Sequence, residues 1–254
     1  MSAVMYCIGR LWEGIRMRRI LITNDDGIEA DGILRLVRAA KEFGEVWVVA
    51  PKEQMSAVSR TVTLRKPIEV KEIAYPVEGV RAFACSGTPV DCVRVGSLAI
   101  MPSKPDVVLA GINYGCNVAT DIPYSATAGA AFEAAFQGFH AIALSEMADE
   151  CHEITDAYLR DLLAEYLEYE LGKDQIVNIN FPGGKLADCK GILRNVRTSQ
   201  EAYFHDRYNL VEEKEDGTKS YMVEGIRNYV AEEGTDFQAI LDGYVAVGIV
   251  DNIK

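Results

Sequence analysis

"RRILITNDDGIEADGI", Arg18 to Ile33, decides how this chain is read. Ile20, Leu21 and Ile22 are apolar without alternation, as a central parallel strand covered on both faces must be. Ile33, Leu36, Val37, Ala40 and Phe43 then recur at helical spacing until Gly44, with Asp31 placed as the helix cap. Glu45 to Ala50 (EVWVVA) forms a second short strand ending at Pro51. The result is one β-α-β unit, right-handed as parallel crossovers are. Between strand and helix stand Asp25 and Asp26, like charges side by side at the mouth of a buried strand.

The alternation of strand and helix continues outward from this unit. Thr61 to Ala84 (TVTLRKPIEV, then VRAFA) has the two-residue period of an extended pair. Thr88 and Pro89, a cap residue followed by proline, open a helix running through Val90, Val93 and Leu98. Asp106 to Gly111 (DVVLAG) is another buried strand, followed by the loop "INYGCNVATDIPYSATAG" and an alanine-rich helix to about Phe136. A strand from His140 to Ser145, a helix from Thr155 to Glu170 and a strand from Ile176 to Asn180 complete this half. After Phe181-Pro182-Gly183-Gly184 the character changes: Gly191 to Ser199 is strand-like, and Asp216-Gly217 reads as a two-residue hairpin turn. The predicted architecture is α/β, a doubly wound, mostly parallel, Rossmann-like sheet over residues 17–182. Residues 183–254 form an extended hairpin arm and a final strand that packs on the core or is exchanged in a dimer.

A chain of 254 residues that is 49% hydrophobic can bury one large core. No apolar run reaches the ~18 residues of a membrane helix, and the first residues lack the layout of an export signal, so a cytoplasmic protein is expected. A net charge of -12 disfavours nucleic acid and anionic membrane as partners. The six cysteines, Cys7, Cys85, Cys92, Cys116, Cys151 and Cys189, form no C-x-x-C pair and are expected as reduced thiols rather than a zinc or redox motif. His140, His152 and His205 are unclustered.

In an open parallel sheet, ligands collect at the carboxyl ends of the strands. Three strands here end in polar chemistry: Asn24-Asp25-Asp26-Gly27, "APKEQMSAVSRT" and "AGINYGCN". Paired acids with neutral oxygens nearby suit Mg²⁺, Mn²⁺ or Ca²⁺. The candidate neutral donors are the hydroxyl of Ser56 or Ser59 and the side-chain carbonyl of Asn113. In "YSATAGAAFEAAF", Ser125 and Thr127 stand at the start of a helix rich in small residues, a terminus whose free N–H groups bind phosphate. The sequence has neither G-x-G-x-x-G after the first strand nor G-x-x-x-x-G-K-[ST], which excludes dinucleotide and P-loop cradles. The acids are adjacent rather than D-x-D, which excludes a haloacid-type phosphatase. Nor does the strand ending in Gly111-Ile112-Asn113 carry the third aspartate of a receiver domain.

At this point the residues resemble the SurE family of phosphatases, which act on nucleoside 5′- and 3′-monophosphates. The resemblance rests on "ILITNDDGIEADGI", "VVAPKEQMSAVSRTVTL", "CSGTPVDCV", "PDVVLAGINYGCN", "YSATAGAAFEA", "VNINFP" and "DFQAILDGYVAV", in order from Arg18 to about Ile249. It implies one divalent cation per subunit, Mg²⁺ or Mn²⁺, bound by Asp25, Asp26, Ser56 and Asn113. Asp25 would also be catalytic, and Asn24, Asn113, Ser125 and Thr127 would lie on the phosphate side. It further implies a homodimer or homotetramer with C-terminal exchange. Ala126 stands where the family usually has glycine, the C-terminal end departs from the family pattern, and Met1 to Arg16 precede the family's usual start at Met17. Tyr114 and Tyr124 are the aromatic candidates for contact with a base. The alternatives are a phosphatase for another phosphate, such as polyphosphate or a sugar phosphate, and a noncatalytic nucleotide or metal sensor.

Overall fold

The computed structural model describes residues 17–253; the extension over 1–16, with Cys7, lies outside them. Strand β1 (Arg19–Thr23) is buried because it sits in mid-sheet: Ile20 and Ile22 face one apolar layer and Leu21 the other. It pairs in parallel with β2 (Glu45–Pro51) and with β5 (Val107–Tyr114). Outward from β2 come β4 (Arg81–Cys85), in parallel, and β3 (Val70–Ile73), antiparallel at the edge. On the other side, β6 (His140–Glu146) and β7 (Gln175–Phe181) continue the parallel set. β11 (Val245–Asp251) then pairs antiparallel with β7 of the same chain and parallel with the short β8 (Ile192–Arg194). The nine-stranded order is β3-β4-β2-β1-β5-β6-β7-β11-β8.

Helices cover both faces, as expected of a doubly wound sheet. α1 (Asp31–Ala40) and α4 (Glu153–Tyr166) pack on one layer through Ile33, Leu36, Leu159 and Leu162. α2 (Pro89–Val95) and α3 (Ala126–Phe136) pack on the other. α3 is buried along nearly its whole length, which explains its alanines: small side chains let a helix lie between α2 and the sheet. α1 lies close against β5, since a Cβ on Gly32 would stand 2.2 Å from the Ile112 carbonyl oxygen. A short α5 (Asp236–Leu241) packs through Phe237 and Ile240 into a third apolar cluster beside the cavity described below.

The arm is a separate two-stranded antiparallel sheet, β9 (Phe204–Glu213) with β10 (Lys219–Arg227). No helix among the described residues is long and apolar enough to cross a membrane. Cys85, Cys92 and Cys116 are buried free thiols, and Cys151 and Cys189 are free and half-buried.

Four local expectations are corrected. Asp31 is the first helical residue and not the cap; Ala30 holds that position without a side-chain bond, and the Asp31 carboxylate instead accepts from Arg35 Nε at 2.7 Å. Thr61 to Glu69 forms no strand, because its polar groups are taken by α2: Asp91 accepts from the Thr63 N–H at 3.0 Å and Thr88 Oγ1 donates to the Thr61 carbonyl at 2.6 Å. The strand expected over Gly191 to Ser199 shrinks to β8, after which Val196 N–H bonds the Val247 carbonyl at 3.2 Å outside a regular ladder. Finally, the arm turns through three residues, Glu215 to Gly217, closed by Lys214 and Thr218, with Gly217 at φ +83°.

Candidate active site

β1, β2 and β5 end together at one edge of the sheet, and the loops leaving them form the wall of a cavity of about 560 Å³. Asp25, Ser56, Asn113 and Ser125 all line it, although 100 residues separate the first from the last. Asp25 is 3% exposed. Burial, opposed by a hydrogen bond from Thr127 and reinforced by the neighbouring Asp26, raises its carboxyl from 3.8 to about 6. Its backbone carbonyl accepts from Met55 N–H at 2.7 Å, which draws the loop carrying Ser56 up to the end of β1.

Asp26 points differently. Its carboxylate accepts from the Tyr114 N–H at 2.9 Å and stands 3.5 Å from Gln54 Nε2, so it bridges the loop after β2 and the end of β5 beside the cavity. Asn113 donates through Nδ2 to the Gly115 carbonyl at 2.7 Å, which leaves its side-chain carbonyl oxygen free to coordinate. Ser59 lies outside the cavity lining, whereas Ser56 is part of it, and the Ser59 hydroxyl donates to the Pro123 carbonyl at 2.7 Å.

Ser125 caps α3, accepting from the Ala128 N–H at 3.0 Å. Ala126 takes the first helical position behind it, where no glycine is needed. Thr127 is fully buried, and its hydroxyl donates to Asp25 Oδ1; the structure places it behind that carboxylate and outside the cavity lining. Asn24 is likewise buried, with Nδ2 bonded to the Gly27 carbonyl at 2.8 Å and Oδ1 without a partner. Tyr114 and Tyr124 both line the cavity and are largely exposed.

A hard cation fits these residues. The Asp25 carboxyl is under-compensated in its buried setting, and the remaining donors, Asp26, Ser56 and Asn113, are all oxygens. Among the described residues no group of three or more His, Cys, Asp and Glu side chains is placed to hold a metal, so the neutral oxygens are needed to complete such a site.

Two sets of cavity residues were not singled out by the sequence. Asn117 is clamped by β7: its N–H donates to Asn180 Oδ1 at 2.7 Å, and its carbonyl accepts from Asn178 at 2.9 Å and Asn180 at 3.1 Å. The signal was present in "VNINF", where two asparagines interrupt a buried strand and must find partners. The second set, Tyr203, Phe204 and Arg227, comes from the base of the arm and closes the cavity on that side. Asn228 fixes this base by donating to the Ala202 carbonyl at 2.8 Å.

Comparison with known proteins gives the family. The family model described as "Survival protein SurE" matches residues 20–205. A "5'-nucleotidase SurE" of Thermoanaerobacter sp. (strain X514) is 35% identical over 232 residues, covering 90% of each chain. One from Maridesulfovibrio salexigens is 37% identical over 234 residues, again covering 90% of each. The crystal structure of SurE protein from Aquifex aeolicus superposes with a TM-score of 0.78 at 32% identity, covering 93% of this chain and 94% of that one. With the family model matched across β1 to the start of the arm and the fold shared at this identity, the chain belongs to the SurE family.

Proposed function

We propose that this protein is a divalent-metal-dependent phosphomonoesterase that hydrolyses nucleoside 5′-monophosphates, and 3′-monophosphates, to nucleoside and phosphate. The observation that carries this reading is the convergence of Asp25, Ser56, Asn113 and Ser125 on one cavity with Asp25 buried and under-compensated. The relatives named as 5′-nucleotidases support it.

Asp25, Asp26, Ser56 and Asn113 would hold the cation, Mg²⁺ or Mn²⁺, one per subunit. When bound, the cation supplies charge neutralisation for a phosphate oxygen and lowers the pKa of a water. The chain's own residues do the rest. Asp25 orients the attacking water and takes its proton, and Thr127 holds the Asp25 carboxylate in one rotamer through the bond to Oδ1. Ser125 and the N-terminal end of α3 receive the phosphate's negative charge, a local attraction that offsets the chain's acidic field. Asn24 acts from beneath, holding the Asp25-Asp26 turn through its bond to Gly27. Tyr114 and Tyr124 offer ring faces to a base.

The protein is proposed to work as a homodimer or homotetramer in the cytoplasm, with the 183–254 segment supplying the contact between subunits. The exposed Tyr208, Leu210, Tyr221 and Met222 of the arm support this. Phosphate release from AMP and GMP, measured with Mg²⁺ or Mn²⁺ and with EDTA, tests the activity. Release that EDTA abolishes and added metal restores is expected. Release indifferent to EDTA defeats the metal assignment, and turnover confined to polyphosphate or sugar phosphates defeats the substrate assignment.

A further inference from the structure

The arm side of the cavity holds an arginine and an aspartate that do not pair with each other. Arg227, at the end of β10, is the single cationic residue lining the cavity among the described residues. Its guanidinium carbon lies 5.5 Å from the Tyr203 ring centroid and 5.4 Å from that of Tyr229, and its Nε is buried without a hydrogen-bond partner. Asp121, in the loop before α3, lines the same cavity and makes no salt bridge among the described residues. Burial, with Asp206 second, raises its carboxyl to about 6. Opposite charges facing one space while unpaired are costly unless a ligand with matching donors and acceptors enters between them.

The site is also rigid. Tyr203 is 4% exposed and packs edge-on against Phe204 and Phe237, with ring centroids 4.8 and 5.0 Å apart, and its hydroxyl reaches Met147 Sδ at 3.8 Å. Asn228, next to Arg227, donates its backbone N–H to the Tyr203 carbonyl at 3.0 Å. A guanidinium fixed in this way presents a fork of donors in one plane.

Resting on the nucleotidase reading above, we infer that Arg227 and Asp121 read the edge of a 6-oxopurine, so that this enzyme prefers guanine and hypoxanthine nucleotides to adenine nucleotides. Guanine offers O6 and N7 together to a guanidinium fork, and N1–H with the N2 amino group to a carboxylate. Hypoxanthine keeps O6, N7 and N1–H. Adenine puts an amino donor where O6 would stand, so it meets the donors of Arg227 with a donor, and it has no N1–H for Asp121. A site built around buried polar groups rejects a base that leaves them unpaired. Pyrimidines lack the N7 acceptor altogether.

The test compares kcat/KM for GMP, IMP, AMP and ribose 5-phosphate at saturating Mg²⁺ in the full chain and in the Arg227→Gln, Arg227→Lys and Asp121→Asn variants, with Tm confirming that each is folded. GMP and IMP should exceed AMP by at least about tenfold, since a good bidentate base contact is worth roughly 1–3 kcal/mol. The ratio should collapse to within about threefold in each variant, Arg227→Lys included, because lysine keeps the charge without the fork. The loss for GMP should exceed the loss for ribose 5-phosphate, which has no base, by about the same tenfold. Calorimetric binding of guanosine against adenosine gives the same comparison without turnover. Equal use of GMP and AMP by the unmodified enzyme, a ratio that survives in the variants, or equal losses for GMP and ribose 5-phosphate each overturn the assignment. Should no phosphomonoester be hydrolysed while guanosine still binds ahead of adenosine, the hydrolytic reading falls and the base site stands.

Discussion

From Ile20 to Thr23 strand β1 is fully buried, whereas every residue of β9 is exposed, and yet Asp25, just past the end of β1, and Phe204, at the start of β9, line the same cavity. The sheet holds its position by apolar packing on two faces. The arm holds its base by a few polar bonds around Asn228 and by the wedge of Tyr203 against Phe237. A change at the sheet end should therefore alter chemistry and folding stability together, while a change along the arm should leave the fold intact.

The largest effect is expected at Asp25. Asp25→Asn keeps the shape and removes the charge, and should lower turnover of any nucleoside monophosphate at least ~10²-fold, as loss of a metal ligand or base does. Stability should move the other way. The folded chain holds the Asp25 proton up to about pH 6 and the unfolded chain releases it near 3.8, so the folded state binds more protons between these values and loses stability as pH rises through them. Above pH 6 that penalty is about 3 kcal/mol at roughly 1.36 kcal/mol for each unit of pKa. In EDTA at pH 8 the Asp25→Asn chain should thus melt several degrees higher than the unmodified one, and at pH 3.5 the two should converge. A lower Tm at pH 8 would show that the Thr127 bond, not burial, dominates this carboxyl.

A second test sits at the seam between the two regions. Asn180 satisfies both backbone groups of Asn117, and Asn178 shares only the carbonyl. Asn180→Ala should cost ~1–3 kcal/mol in denaturant unfolding, because it leaves a buried N–H without an acceptor. Asn178→Ala should cost less. The same variant frees the 115–118 loop that walls the cavity, so KM should rise more than kcat falls. If both asparagine variants cost the same, the Asn117 N–H has found water and the clamp is looser than its geometry indicates.

What could be read from the residues follows the same division. Ile20 to Ile22, Val107 to Ala110 and Ile142 to Leu144 are buried by sheets and helices that their own neighbourhood builds, and an apolar run reports that directly. The convergence of Asp25, Ser56, Asn113 and Ser125 follows from the rule that strand ends share an edge. Thr61 to Glu69 misled because an alternating pattern specifies an extended chain but not a partner, and Asp91 and Thr88 supplied side-chain bonds in place of a ladder. Asp31 misled because Arg35, one turn on, competes for the carboxylate that would otherwise cap the helix. Tyr203, Phe204 and Arg227 left no local trace: their approach to the cavity depends on where the 183–254 segment turns after β7, which no short-range pattern encodes.

The smallest effect belongs at the far end of the arm. Asp216 Oδ1 accepts from the Thr218 N–H at 2.9 Å and helps close the turn that Gly217 makes possible with its positive φ. A two-stranded sheet exposed on both faces has little stability of its own, so this bond acts within the arm and not on the whole fold. Asp216→Ala should shift the global Tm by less than about 2 °C, as surface substitutions do in a chain of this size, and leave nucleotide turnover unaltered. Its amide exchange should quicken between Phe204 and Arg227 while β1 and β5 stay protected. Loss of protection in the central strands would mean that arm and sheet unfold as one unit, and the contrast between them would be one of burial alone.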